Sequence, residues 1–230
     1  MTDRCPYGEC DGSGFLLDEA ANTARPCRCR PQRLARARSR SLSAVIPRRY
    51  RDVAWERKPV IDIEPSITTP VRRFAGNIDA NVDEGRGLWF MGDPGTGKTT
   101  LAMLVSKAAL EANRTVAIYS LPRMLGMLVK TFDADSHGSY LEMLDKLSEV
   151  DLLHLDDFGY RGDSPWVKEQ LFSVVNTRYE EQRSLIITTN FERDALVEQV
   201  GERTVSRLTE MCLELPLFGH DRRQSFAPVD

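Results

Sequence analysis

The chain has 230 residues, 41% of them hydrophobic and 28% charged, with a formal net charge of −3. That length holds one sizeable core and a small appendage, and no apolar run approaches the ~20 residues that a membrane-spanning helix needs. The opening MTDRCPYGECDG lacks the apolar centre of a secretory signal, so the expectation is a cytoplasmic protein without a membrane partner.

Charge and cysteine concentrate at the front of the chain. Ten arginines and neither Asp nor Glu stand between Arg25 and Arg51, which leaves −13 on the remainder. A basic arm on an acidic body favours phosphates or an acidic partner surface. Four of the five cysteines, Cys5, Cys10, Cys27 and Cys29, lie in the first 29 residues. In a reducing compartment such a cluster more often binds metal than forms disulfides, and four thiolates suit a closed tetrahedral Zn²⁺ site. The rest of residues 1–30 reads as a loop-rich module with Gly8, Gly12 and Gly14. Pro31 suits the first turn of a helix and Pro47 its stop. Leu34, Leu42 and Val45 give that helix a thin apolar stripe, and Arg33, Arg36 and Arg40 share one face. Residues 1–46 are therefore expected to form a cysteine module plus a basic helix for partner docking. Residues 47–70, with four prolines, are expected to form a linker.

From residue 71 to 230 the pattern changes. Helical stretches alternate with the apolar strands GLWFM (87–91), TVAIYS (115–120), DLLHLD (151–156), SLIITT (184–189) and LELPL (213–217). This alternation predicts an α/β domain with a parallel five-stranded sheet flanked by helices. After the first of these strands comes GDPGTGKTT, made of Gly92, Asp93, Pro94, Gly95, Thr96, Gly97, Lys98, Thr99 and Thr100. Strand, G-x-x-x-x-G-K-[ST] and helix in that order define a P-loop. Its glycines let backbone N–H groups face phosphate oxygens, and the following helix offers its positive end. Lys98 is expected to reach the β- and γ-phosphates of ATP, and the Thr99 hydroxyl to bind Mg²⁺. DLLHLDDFG ends a strand in two acids, with Asp156 placed for the Mg²⁺ shell and Asp157 for the attacking water. His154 within that strand reads as a core residue. Asn190, after SLIITT, falls within reach of the water or the γ-phosphate. Arg203 and Arg207 in GERTVSRL lie one helical turn apart, as a solvated face or as a finger for a neighbouring subunit's ATP.

Together GDPGTGKT, LLHLDDFG, TTN and ERTVSR resemble the AAA+ ATPases of the DnaC/DnaI helicase-loader and IstB transposition-helper group, over about residues 45–225. The resemblance implies a P-loop NTPase (AAA+) fold without the C-terminal lid, for which the 13 residues after LELPL leave no room. It implies ATP-dependent self-association into a spiral or hexamer, with Arg207 favoured over Arg203 as the finger because it follows the Ser-Arg-apolar pattern. It also implies single-stranded DNA contacts at Phe132, Ser164 and Trp166, of which Phe132 and Trp166 offer stacking faces. Asp157 stands where relatives often carry Glu, which implies slow, switch-like hydrolysis. The cysteine pattern resembles the small zinc module of DnaI-like loaders, where IstB proteins carry a helical DNA-binding domain instead. The expected function is an ATPase that loads a DnaB-type replicative helicase onto single-stranded DNA during replication initiation, using ATP, Mg²⁺ and Zn²⁺. The alternative is an IstB-like helper ATPase that binds DNA and recruits a transposase. A P-loop small-molecule kinase and a zinc adaptor with a purely structural ATP site are the further readings. No segment for a kinase's mobile lid is found.

Overall fold

The computed structural model describes residues 5–18, 23–31, 33–34, 46–131, 140–159, 164–219 and 221. Phe132, Arg36, Arg40 and most of the expected basic helix lie outside them. The front of the chain carries an antiparallel hairpin, β1 (Phe15–Asp18) and β2 (Thr23–Pro26), with Leu16 opposite Arg25 and Leu17 opposite Ala24. This pair of strands was not foreseen, because four-residue runs with an arginine and a proline carry no readable alternation. The Arg33 N–H donates to the Cys29 carbonyl, the first turn of the helix expected at Pro31.

The body holds α1 (Pro65–Gly76), α2 (Ile78–Asp83), β3 (Gly87–Gly92), α3 (Lys98–Glu111), β4 (Val116–Ser120), α4 (Leu121–Lys130) and α5 (Tyr140–Glu149). It continues with β5 (Leu152–Asp156), α6 (Pro165–Glu180), β6 (Ser184–Thr189), α7 (Arg193–Val200), α8 (Glu202–Met211) and β7 (Cys212–Leu217). The five long strands form one parallel sheet in the order β4-β5-β6-β3-β7. No further secondary-structure element follows β7 among the described residues.

Strand periodicity builds two core layers. Trp89 and Met91 of β3 face one layer with α4 to α8, whereas Leu88 and Phe90 face the other with α1, α2 and α3. Sheets covered on both faces give strands without a polar side, and every residue of β3 and β6 is buried. α3 is buried on nearly all sides, from Thr100 through Ser106, because it lies between the sheet and α1.

Residues 47–70, expected as a linker, carry ordered elements. Short 3₁₀ turns form at Arg48–Tyr50 and Val60–Asp62, and α1 begins at Pro65, inside the expected linker. Val60 and Ile63 are buried in the second core layer, with Tyr50, Val53 and Trp55 packed against it. Their irregular spacing hid them from a periodicity argument. Their apolar surface still favours burial by about 25 cal/mol per Å².

Candidate functional site: a nucleotide cleft and a cysteine cluster

Parallel strands place all their carboxyl ends along one edge. The order β5-β6-β3 brings three strand ends side by side: Asp156 closing β5 with Asp157 just beyond, Asn190 after β6, and the P-loop after β3. Such an edge is where open α/β sheets hold ligands. A cleft of about 680 Å³ opens there, lined by Gly95, Gly97, Lys98, Thr99, Thr100, Asp157 and Asn190, within the size range of small-molecule sites.

The P-loop leaves the sheet where Gly92 lies against β7. Its φ is +128°, and a Cβ there would sit 2.0 Å from the Leu217 carbonyl oxygen. The Asp93 N–H donates to that oxygen at 3.1 Å, and Asp93 Oδ2 accepts from the Gly219 N–H at 3.0 Å. Pro94 follows, and the Thr96 hydroxyl donates to the Asp93 carbonyl at 2.8 Å, closing the loop. Gly97 caps α3 with φ +105° and lies against Ile63, where a Cβ would meet Cδ1 at 2.7 Å. Lys98 is buried, and its ammonium donates to the carbonyls of Gly92 and Asp93 at 2.8 and 2.6 Å. A cation is thus held at the phosphate cradle.

Thr99 Oγ1 donates to Asp156 Oδ1 at 2.8 Å, and Thr188 Oγ1 donates to the same oxygen at 2.6 Å. Thr188 also accepts the Asp157 N–H at 3.1 Å, and its carbonyl accepts the Phe158 N–H. Those bonds turn the chain at Asp157, whose φ of +55° is unusual outside glycine. Left-handed backbone of this kind costs of order 1 kcal/mol and gathers at functional sites. A hydroxyl and a carboxylate oxygen 2.8 Å apart are hard oxygen donors that fit Mg²⁺. His154 is fully buried, with Nδ1 3.0 Å from Ser106 Oγ, and burial lowers its pKa to about 4. It is a neutral core residue, as read from the sequence.

Sequence reasoning missed half of the cleft's wall. Arg49, Tyr50, Asp52, Val53, Lys58, Pro59 and Asp62 line it. The Tyr50 phenol approaches Thr99, and burial and then the Asp156 carboxylate raise its pKa. Thr188 was also passed over, although a polar pair closing an apolar strand is a visible signal.

Arg203 and Arg207 do not line this cleft. Both lie on α8, stacked on rings of α6: Arg203 over Phe172 at 4.0 Å and Arg207 over Tyr179 at 4.4 Å. Ser164 caps α6, its hydroxyl accepting the Val167 N–H at 3.4 Å. Trp166 is half-buried against the first core layer.

The four front cysteines converge. Their sulfurs all lie within 4.8 Å of one another, with Cys5 to Cys27 at 3.8 Å and Cys10 to Cys29 at 3.6 Å. Tetrahedral Zn–S bonds of about 2.3 Å put the edges of the tetrahedron near 3.8 Å, so the donor set fits the metal. Burial opposes ionisation of Cys5, but the N–H groups of Cys10, Glu9 and Tyr7 stabilise its thiolate and bring its pKa down to about 6. Burial pushes Cys29 up to about 12. Glu9, paired with Arg28, closes one side of the cluster.

The P-loop after β3 and the acid-tipped β5, with β6 inserted between those strands, define a P-loop nucleotide-binding protein of the AAA+ type. Residues 77–211 match the family model described as IstB-like ATP binding protein, and the chain belongs to that family. It is similar to the replicative helicase loader DnaC of Escherichia coli K12, 30% identical over 138 residues, 60% of this chain and 53% of that protein. DnaC of Buchnera aphidicola subsp. Schizaphis graminum is 25% identical over 147 residues, 64% and 58% of the two chains. The chain thus spans about half the length of the relatives it matches. Among solved structures, the DnaC helicase loader superposes with a TM-score of 0.65 at 27% identity, covering 74% of this chain and 99% of that one. The DnaI structure shares the fold, with a TM-score of 0.60 at 22% identity over 81% and 100% of the chains.

Proposed function

We propose that this protein is an ATP-dependent loader of a replicative, DnaB-type helicase onto single-stranded DNA. The observation that carries the reading is a nucleotide cleft whose two candidate arginine fingers lie on another helix of the same chain. A site so built is completed by a second copy, which supports ATP-dependent assembly into a spiral or hexamer. The relatives named replicative helicase loaders supply the class of cargo.

In this reading the P-loop amides and Lys98 hold the triphosphate of ATP. Thr99 and Asp156 would hold Mg²⁺, and that ion would supply positive charge against the phosphates. Asp157 orients the attacking water and accepts its proton, while Asn190 hydrogen-bonds the γ-phosphate. Arg207 of a neighbour, with Arg203 beside it, meets the charge that develops during transfer. Asp157 is one methylene shorter than Glu and sits on left-handed backbone, which favours slow, switch-like turnover over a motor's rate. Phe132, Ser164 and Trp166 contact single-stranded DNA. Cys5, Cys10, Cys27 and Cys29 hold a zinc ion that stabilises a partner-docking module.

The matched family's description favours a second reading, an IstB-like helper that recruits a transposase. The four-cysteine module favours the loader, because it resembles the loaders' front end. Affinity capture with the full chain from its source cell, in ATP, tests the choice. Replicative helicase on the beads is the expected result, and transposase without helicase overturns it. Lys98→Ala is expected to lower ATP affinity about a hundredfold in calorimetry, since it removes two or more charge-assisted bonds.

A further inference from the structure

Arg207 is held in a constellation that an ordinary surface arginine does not need. Phe172, Asn176 and Tyr179 of α6 recur at i, i+4 and i+7, so they form one stripe, and it meets Arg203 and Arg207 of α8. The Arg207 Nε–H donates to Asn176 Oδ1 at 3.4 Å. The Asn176 amide is itself turned by its Nδ2, which donates to Glu180 Oε1 at 2.9 Å, and this leaves Oδ1 facing the arginine. The Tyr179 ring lies under the guanidinium, and its hydroxyl donates to Glu210 Oε2 at 2.6 Å. Glu210 Oε1 lies 3.7 Å from Arg207 Nη1. The guanidinium is therefore fixed along its Nε edge and on one face.

We propose that Asn176 and Tyr179 are positioning residues that hold the Arg207 guanidinium aimed for the ATP of a neighbouring copy, with Glu210 anchoring the tyrosine. The inference rests on the reading that Arg207 acts in trans. Its physical basis is preorganisation. An arginine side chain has a long flexible stem, and a catalytic cation stabilises developing charge best when its orientation is set before the reaction. Asn176 fixes rotation about the guanidinium plane, which a salt bridge alone does not. The Tyr179 face supplies a cation–π contact whose register is locked by the Glu210 bond. The Nη2 edge, bonded to neither Asn176 nor Glu210, is the one offered to phosphate oxygen.

The test is steady-state ATP hydrolysis by the full-length protein across a range of protein concentrations, with thermal unfolding measured on each variant. Arg207→Ala is expected to abolish the concentration-dependent part of kcat. If kcat is unchanged, the trans reading fails and this inference with it. Given that loss, Asn176→Ala is expected to lower kcat about tenfold, the worth of one charge-assisted bond, with KM for ATP and the unfolding midpoint unchanged. Tyr179→Phe keeps the ring and is expected to cost about threefold, which provides a variant that folds if Asn176→Ala does not. The deciding measurement is made in an Arg207→Lys background, where no Nε–H exists. There Asn176→Ala is expected to have no further effect on kcat. An equal loss in both backgrounds, or unchanged kcat in both single variants while Arg207→Ala is inactive, overturns the positioning role and leaves the trans reading standing.

Discussion

The front module and the body are held together by different physics. The body buries two layers of Leu, Ile, Val and Phe on either side of a five-stranded sheet. The module's buried cluster is Cys5, Cys27 and Cys29, with Cys10 and Leu16 packed against it, and Tyr7, Leu17 and Leu34 are exposed around it. Apolar area stabilises the first. The second has little of it, and its four cysteines form a cluster that could hold a metal ion. Polar groups follow the same division. Inside the body the chain itself supplies partners, as with Arg178, whose two terminal nitrogens donate to the carbonyls of Leu147, Ser148, Val150, Asp151 and Ser184. In the module the four sulfurs face one another, all within 4.8 Å.

The largest way to break this contrast is to remove the module's ligands. Protein purified without chelator is expected to hold one zinc per chain by metal analysis. Cys27→Ser with Cys29→Ser is expected to abolish binding worth ~10 kcal/mol or more and to unfold the module. Amide hydrogen exchange should then report an unprotected front and a body as protected as before. A metal-free module with protected amides overturns the assignment.

The corresponding break in the body is Arg178→Met. It keeps most of the volume and strips donors from five carbonyls, so a loss of about 3–5 kcal/mol is expected in urea unfolding. A loss below about 1 kcal/mol contradicts the structural role. Burial lowers the Arg178 pKa to about 9, which leaves it charged at neutral pH.

A smaller effect sharpens the comparison through pH. His154 has a folded pKa of about 4 against the ordinary 6.5. The unfolded chain therefore takes up a proton that the folded chain refuses between those values. The stability contributed by a neutral His154 is complete above pH 6.5 and is lost as pH falls to about 4, by up to about 3 kcal/mol. His154→Leu is expected to flatten that part of the profile, and it strands no donor, because the Ser106 hydroxyl donates to the Ala102 carbonyl. An unchanged acid slope overturns this account.

The smallest expected effect concerns Trp166, which lies at the border of core and surface. Trp166→Leu retains the apolar packing and removes the stacking face. It is expected to weaken single-stranded DNA binding by about 1–3 kcal/mol, with the unfolding midpoint nearly kept. A lower midpoint with DNA affinity intact assigns the residue to the core alone.

Much of the site was legible because its determinants are local. Gly92 and Gly97 carry the positive φ values that the P-loop needs, and Lys98 and Thr99 follow at fixed spacing. The strands over 87–92, 116–120, 152–156, 184–189 and 212–217 matched their apolar runs to within a residue or two. Each run specifies its own conformation, as a strand buried on both faces must. Arg178 was legible in principle, since the stripe Leu171, Val174, Val175 puts it on the buried face of α6, but an arginine in such a stripe reads as snorkelling until its acceptors are seen.

By itself, then, the sequence determined the parallel α/β body, the phosphate cradle, the acid pair Asp156 and Asp157, and a cysteine cluster, all through residues close in sequence or through composition. Only the tertiary structure decided the strand order that brings Asn190 and Asp156 beside the P-loop, and the convergence of the Cys5, Cys10, Cys27 and Cys29 sulfurs on one point. It alone placed Tyr50, Lys58 and Asp62 in the wall of the cleft, and Arg207 against Asn176 and Tyr179. The physical reason is that these contacts join residues tens of positions apart. Their pairing is set by which packing arrangement recovers the entropy of closing the intervening loops, and no short window of sequence records that comparison.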